Sequence, residues 1–411
     1  MTTVLVLSNG HGEDVIGAMI AREVRALRPS LDVVGFPLVG LGKPYRDAHI
    51  RIAGIQRAMP SGGFAKHGVR LLLRDIRAGL IGHTANQIRH LRACARGASL
   101  AVCVGDAYPL LLAGLFVRRP ILCLSTAKSE YIHGHYAVET WLMRRLAGMV
   151  LARDARTAKA LAAVGVRADY AGNVMMDGFS ITGENFGLTL EKKVVGILPG
   201  SRQEAYRNMV EILGVVRRLA EATGNGLDFV AGLAPSLDCT LLGQAVRAAG
   251  WRFVPGGSKD GEAGDVEAGI VGRLFPVESD EPCVILTQGR FGDVLNVSNI
   301  IIGLSGTGNE QAAGLGRPVV AFPTDGPQFN ERFARAQKRL LGDALVLVEE
   351  GGPEAVAREV LSILGDSARV SRMRRAGYER MGEQGAATRT AKIIVHYLDT
   401  GRWEGCGFEK G

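Results

Sequence analysis

Short apolar runs alternate with amphipathic stretches along the whole chain, and this pattern predicts strands and helices in turn. Residues 3–8, 33–36, 99–106, 120–125 and 149–152 read as strands. Polar residues do not alternate within most of these runs, the mark of strands buried on both faces of a parallel sheet. Apolar positions at helical spacing predict helices over 15–27 and 155–164. From residue 193 the pattern restarts. Strands are expected at 193–198, 228–231, 251–254, 283–287, 300–304 and 319–323. Helices are expected at 203–222, 309–316, 353–364, 367–381 and 386–398. Residues 178–191 read as a loose linker and 256–272 as a polar, glycine-rich loop. Strand, turn and helix recurring in two halves predict an α/β chain of two doubly wound domains.

The turns after these strands carry the candidate chemistry. Ser305-Gly306-Thr307-Gly308 follows the strand at 300–304. Backbone N–H groups at a helix start beyond a strand's carboxyl end are where phosphates dock. Glu310 falls in the expected first turn. It either complements the helix dipole or accepts both hydrogen bonds of a vicinal diol, as a ribose offers. Pro199-Gly200-Ser201-Arg202 forms a second such turn, and the Arg202 fork suits a diphosphate. In the first half, His11 sits in the turn after residues 3–8 and Asp106 closes a buried strand on the same edge. Asp106 reads as a general base or as a helix cap, and His11 as a catalytic group or a turn residue. Gly10-x-Gly12-x4-Gly17 is not a dinucleotide fingerprint, and G-K-[ST] is absent, which excludes a P-loop.

At 411 residues two domains are the default. Hydrophobic residues make up 47% and charged residues 22%, as in a soluble globular protein. No run of about 18 apolar residues suggests a membrane span. The start, MTTVLVLSNGHGED, reads as a first strand and not as a signal peptide. Six scattered cysteines without a C-x-x-C pair argue against a metal site and for a reducing compartment. Net charge is +8 and the pI near 9.3. Residues 64–96 concentrate it: seven Lys and Arg, among them Arg70, Arg74 and Arg77, face the single acid Asp75. That stretch reads as a helix packed on its domain or as a contact with an anionic membrane. With few aromatics and no reader motif, nucleic acid is not an expected partner.

Longer motifs carry a resemblance. ILPGSRQEA (197–205) resembles the L-P-G-S-R-x-x-E signature of the lipid-A-disaccharide synthases. GLSGTGNEQAAGLGRPVVAF (303–322) is similar to that family's S-G-T-x-x-x-E element. YAGNVMMDG (170–178) resembles its F-V-G-H-P-x-x-D, and SNGHGED (8–14) stands where the family has a G-E-A-S-G-D-like turn. Three departures fall in the first half and its end. Gly10 replaces a Glu while Asp14 is retained, Asn173 replaces a His, and Tyr108-Pro109 interrupts the D-x-P-D-F-N run.

The resemblance implies the GT-B architecture, two Rossmann-like domains with a cleft between them. The expected bounds are 1–176 for the acceptor side and 190–382 for the nucleotide-sugar side, with 383–411 packing back on the first domain. It implies a UDP-sugar donor, an N-acetylglucosamine-type sugar, and a lipid-linked or hydrophobic acceptor. By the same likeness Gly200, Ser201, Arg202, Ser305, Gly306 and Thr307 meet the diphosphate. Glu310, with Gln311 beside it, takes the ribose. Phe291 and Gly292, in the loop 289–294, border the uracil, and Gln328 and Asn330 approach the sugar or diphosphate. Asp106 is the first candidate base and His11 the second. No metal or other cofactor is expected, and the location is cytoplasmic and peripheral to the membrane. A UDP-sugar 2-epimerase and a non-catalytic nucleotide-sugar or lipid binder are the competing functions.

Overall fold

The computed structural model describes residues 2–56, 80–189, 191–256, 268–326 and 329–403. The chain forms two compact units, Met1–Gly178 with Gln384–Gly411, and Phe179–Glu383.

In the first unit, strand β1 (Thr3–Asn9) leads into helix α1 (His11–Leu27), then β2 (Asp32–Val39), α2 (Lys43–Asp47) and β3 (Arg51–Ile52). After α3 (Leu80–Ala95) come β4 (Ala98–Gly105), α4 (Ala107–Leu112) and a π turn (Ala113–Val117). Next are β5 (Ile121–Ser125), α5 (Ala137–Leu146), β6 (Met149–Ala152), α6 (Ala155–Ala163) and β7 (Ala168–Asp169). The strands form one parallel sheet in the order β3-β2-β1-β4-β5-β6-β7. Val4 and Val6 of β1 enter one core, with Ile16 and Ile20 of α1. Leu5 and Leu7 enter the core on the other face, with Leu91 and Met143. Both faces are therefore apolar, which is why polar residues do not alternate along these strands.

The second unit runs β8 (Lys193–Leu198), α7 (Glu204–Thr223), β9 (Leu227–Leu233), α8 (Cys239–Arg247), β10 (Trp251–Pro255), β11 (Ile270–Pro276) and β12 (Val284–Gln288). It continues with α9 (Phe291–Val297), β13 (Ile300–Gly303), α10 (Gly306–Gly314), β14 (Val319–Ala321), α11 (Glu331–Leu341) and β15 (Leu345–Leu347). Helices α12 (Gly352–Gly365) and α13 (Ser367–Met381) complete it. Its sheet order is β10-β11-β12-β9-β8-β13-β14-β15. Helix α14 (Ala386–Thr400) returns to the first unit, where Ala387, Ala391 and Ile394 join the α1 core.

The second sheet is mixed, because β11 pairs antiparallel with both β10 and β12. Three expectations need correction. Strand β11 begins inside the stretch read as a loop. Residues 179–189 are not a loose linker: Phe186 is buried with Val194, Val230 and Ile285, and Asp293 anchors Thr182 through backbone and hydroxyl at 2.6 and 2.9 Å. Helices α1 and α10 each begin earlier than expected, at His11 and Gly306. Glycines in their first turns hid both starts, since glycine is among the poorest helix formers.

Residues 64–79, with Arg70, Arg74 and Arg77, lie outside the described residues, as does Gln328. Among the described residues, no helix is long and apolar enough to cross a membrane.

Candidate functional site

The strongest candidate lies at the carboxyl edge of the second sheet. Strands β8 and β13 are parallel neighbours with Leu198 opposite Gly303, so their turns emerge side by side. Leu304 N–H donates to the Leu198 carbonyl at 2.8 Å. A Cβ on Gly200 would lie 3.2 Å from the Leu304 carbonyl oxygen, which puts the two turns in contact. Gly200 also has a φ of +106°, a conformation that favours glycine.

Ser305 caps α10, its Oγ accepting from the Gly308 N–H at 3.2 Å. Below the turn is a buried amide pair. Asn309 Nδ2 donates to the Gly303 carbonyl at 2.9 Å and to Gln337 Oε1 at 2.8 Å. Gln337 Nε2 in turn donates to the carbonyls of Ser305 and Gly306, at 3.2 and 2.8 Å. Gly303 makes room for this: a Cβ there would sit 1.8 Å from Asn309 Oδ1. Two amides thus fix the carbonyls of the turn and leave the first N–H groups of α10 directed beyond the strand end.

Because α10 begins at Gly306, Glu310 is its fifth residue and not part of the first turn. The dipole effect falls off within that turn, so dipole complementation does not account for an acid there. Glu310 is nevertheless buried, at 9% exposure, as is Gln311 beside it.

The other expected residues fall around this edge. Ser201 and Arg202 are exposed at the start of α7, and Thr307 is exposed on α10. Ser236, after β9, donates to the Ser201 carbonyl at 2.9 Å. Asn208 Nδ2 holds the Pro199 carbonyl at 2.9 Å. Asn330 caps α11, accepting from Phe333 N–H at 3.0 Å. Phe291 meets Phe179 edge-on, ring centroids 5.9 Å apart. Gly292 is packed against the 179–183 segment, where a Cβ would lie 2.1 Å from the Ser180 carbonyl oxygen.

A separate cavity of about 200 Å³ lies between α7, α12 and the ends of β14 and β15. Its lining holds Glu211, Asp325, Glu349 and Glu350 against Arg207 alone. That is the wrong charge balance for a diphosphate.

The first unit presents a different edge. Asp106 caps α4, accepting from Tyr108 N–H at 2.9 Å, and Asn9 Nδ2 donates to it at 3.2 Å. The capping role is therefore real, and these same bonds orient the carboxylate at the strand end. Glu13 lies over the end of β4, its Cγ 3.2 Å from where a Gly105 Cβ would be. His11 opens α1 and is exposed. Further along the edge, Ser125 Oγ and His135 Nε2 are 2.8 Å apart, and burial lowers the pKa of that imidazole.

Beneath this edge is a buried chain. Ser8 Oγ donates to Asp14 Oδ1 at 2.6 Å, and its oxygen is 2.8 Å from the Tyr45 hydroxyl. Burial pushes the Asp14 carboxyl up to about 7, against the Ser8 bond and with help from neighbouring Glu13. Asn173 accepts from Met175 N–H at 3.1 Å. Asp177 accepts from the N–H groups of Gly385 and Ala387 and so caps α14. Among the described residues, no group of three or more His, Cys, Asp or Glu is arranged to hold a metal ion.

Sequence reasoning missed Asn309, Gln337, Asn208 and His135. Asn309 stands inside the S-G-T-G-N-E run and could have been suspected there. The others had no local signal.

No protein-family model matches this chain. It is similar to the lipid-A-disaccharide synthase of Trichlorobacter lovleyi, 23% identical over 259 residues, 57% of this chain and 58% of the relative. It is 26% identical over 249 residues to that of Syntrophotalea carbinolica, 55% of each chain. The match spans little more than half the length of these curated relatives. Among solved structures it resembles a putative UDP-N-acetylglucosamine 2-epimerase from Listeria monocytogenes (TM-score 0.58, 15% identity, 97% of both chains). A calicheamicin glycosyltransferase aligns with TM-score 0.59, 16% identity, and 97% and 99% of the two chains. MurG of Acinetobacter baumannii aligns with TM-score 0.57, 12% identity, and 96% and 100%. These likenesses establish the fold: two Rossmann-like units of the GT-B kind.

Proposed function

We propose that this chain is a glycosyltransferase that moves an N-acetylglucosamine-type sugar from UDP to a lipid-linked or hydrophobic acceptor. The observation that carries the reading is the paired turn of the second unit: an N-terminal helix edge held by buried amides, Arg202 on the neighbouring turn, and buried Glu310 beyond the reach of the dipole explanation. Similarity to lipid-A-disaccharide synthases supports the same class.

In this proposal Ser305, Gly306 and Thr307, with Gly200 and Ser201, cradle the diphosphate, and Arg202 balances its charge. Glu310 accepts the ribose diol. Phe291 and Gly292 border the base, and Gln311, Gln328 and Asn330 complete the donor site. The acceptor hydroxyl oxygen attacks the anomeric carbon, and the bond from that carbon to the diphosphate oxygen breaks. UDP departs with the bonding electrons, and the hydroxyl proton passes to a base. Asp106 is assigned that role, with His11 second. The leaving charge is stabilised by N–H groups and Arg202, and no divalent ion is invoked.

The test is incubation with UDP-N-acetylglucosamine, with and without a bacterial lipid extract. UDP release that requires the extract supports transfer. Interconversion of the sugar without an acceptor supports an epimerase, and binding with neither reaction supports a nucleotide-sugar binder.

A further inference from the structure

The candidate edge of the second unit carries an aromatic ring that the core does not use. Helix α11 buries Ala334, Gln337, Leu340 and Leu341, whereas Phe333 is 41% exposed. Asn330, Phe333 and Gln337 follow i, i+3, i+7 spacing and so share a face. Gln337 on that face holds the Ser305 and Gly306 carbonyls. Phe333, one turn nearer the helix start, borders the same turn: a Cβ on Gly306 would lie 3.2 Å from Phe333 Cζ and 3.8 Å from Cε1. The tip of the ring therefore stands beside the first residue of α10.

The fold holds this ring in place. Buried Phe329 meets it at 64°, ring centroids 5.6 Å apart. The Phe333 N–H donates to the Asn330 side chain at 3.0 Å, which fixes the backbone at the start of α11. A ring already held loses little freedom when a ligand covers it. The faces of an aromatic ring carry negative potential, so phosphate oxygens are poor partners for them. In the proposed function Glu310, one helical turn further along α10, takes the ribose, and Phe291 and Gly292 of α9 border the base. What remains for Phe333 is the group carried by the second phosphate. A pyranose suits it, because its equatorial hydroxyls leave axial C–H groups that form an apolar face. That face can cover a ring while the hydroxyls stay hydrated.

We propose that Phe333 is a specificity-determining residue of the donor site, packing against the apolar face of the transferred sugar. It makes the site prefer the nucleotide sugar over the nucleotide left after transfer. This rests on the nucleotide-sugar reading and adds to it a residue that the sequence did not single out.

The experiment is calorimetric titration of UDP and of UDP-N-acetylglucosamine into the natural full chain, Phe333→Ala and Phe333→Tyr. Phe333→Ala should bind UDP as the natural chain does and bind UDP-N-acetylglucosamine about tenfold more weakly. Phe333→Tyr keeps the ring and should keep both affinities. Undiminished UDP binding by Phe333→Ala is also the control for an intact turn, and thermal unfolding without ligand checks the fold. Equal losses for the two ligands would assign the ring to the nucleotide or to the turn. Unchanged affinity for both would place it outside the donor site. Either result overturns this inference alone, since UDP binding by the natural chain leaves the nucleotide-sugar reading standing. No UDP binding by the natural chain would overturn both.

Discussion

The side chains of Asn309 and Gln337, 28 residues apart, meet at 2.8 Å beneath the Ser305–Gly308 turn, and each also binds carbonyls of that turn or its strand. Gln337→Leu keeps the bulk and removes these bonds. Leaving buried carbonyls and an amide unmatched costs about 2–4 kcal/mol in all. Urea denaturation should show that loss, and UDP affinity should fall with it. Unchanged stability would mean that other groups fix the turn.

Asp14 gives the chain a pH dependence with a definite sign. Its folded pKa, about 7, lies above the ordinary 3.8. The folded chain therefore keeps a proton that the unfolded chain releases, and this stabilisation is complete below about pH 4 and lost as pH rises through 7. At ~1.4 kcal/mol per unit the span reaches about 4 kcal/mol as an upper figure. Asp14→Asn should flatten the decline between pH 5 and 8 and be the more stable protein at pH 8. An identical slope in both proteins would place the titration elsewhere.

Asp177 closes the stretch that resembles F-V-G-H-P-x-x-D, and its carboxylate caps α14 through Ala387 N–H at 2.6 Å. Asp177→Ala should cost about 1–2 kcal/mol, as loss of a helix cap does. Amide exchange should quicken in the first turn of α14. If protection there is unchanged, the cap contributes nothing.

Much of this fold could be read from the sequence because its strands are continuous apolar runs. Residues 3–8 and 300–304 differ from the observed β1 and β13 by one residue at one end. Strand β11 escaped because its buried residues alternate with half-buried Val271, Arg273 and Phe275, next to a glycine-rich stretch. The candidate site was half legible. Turns announce themselves through glycine, and Arg202 and Glu310 stand inside motifs. Gln337 has no such signal, because its role depends on α10 and α11 meeting in space. Phe186 had none either, since one aromatic in a polar stretch looks like a linker until its core is known.

Arg202 is assigned to the diphosphate alone. Arg202→Ala should weaken UDP binding about ten- to a hundredfold, the value of a charge-assisted hydrogen bond. Uridine, lacking phosphate, should bind both proteins alike. Equal losses for UDP and uridine would assign Arg202 to the nucleoside or to the fold.

The most direct test is calorimetric titration of UDP into the intact chain and into Glu310→Ala, with thermal unfolding of both in the absence of ligand. UDP should bind the natural chain, and Glu310→Ala should lose about ten- to a hundredfold for UDP and uridine alike, while its unfolding transition stays in place. No UDP binding by the natural chain, or full affinity in Glu310→Ala, would contradict the assignment of this edge to a uridine nucleotide.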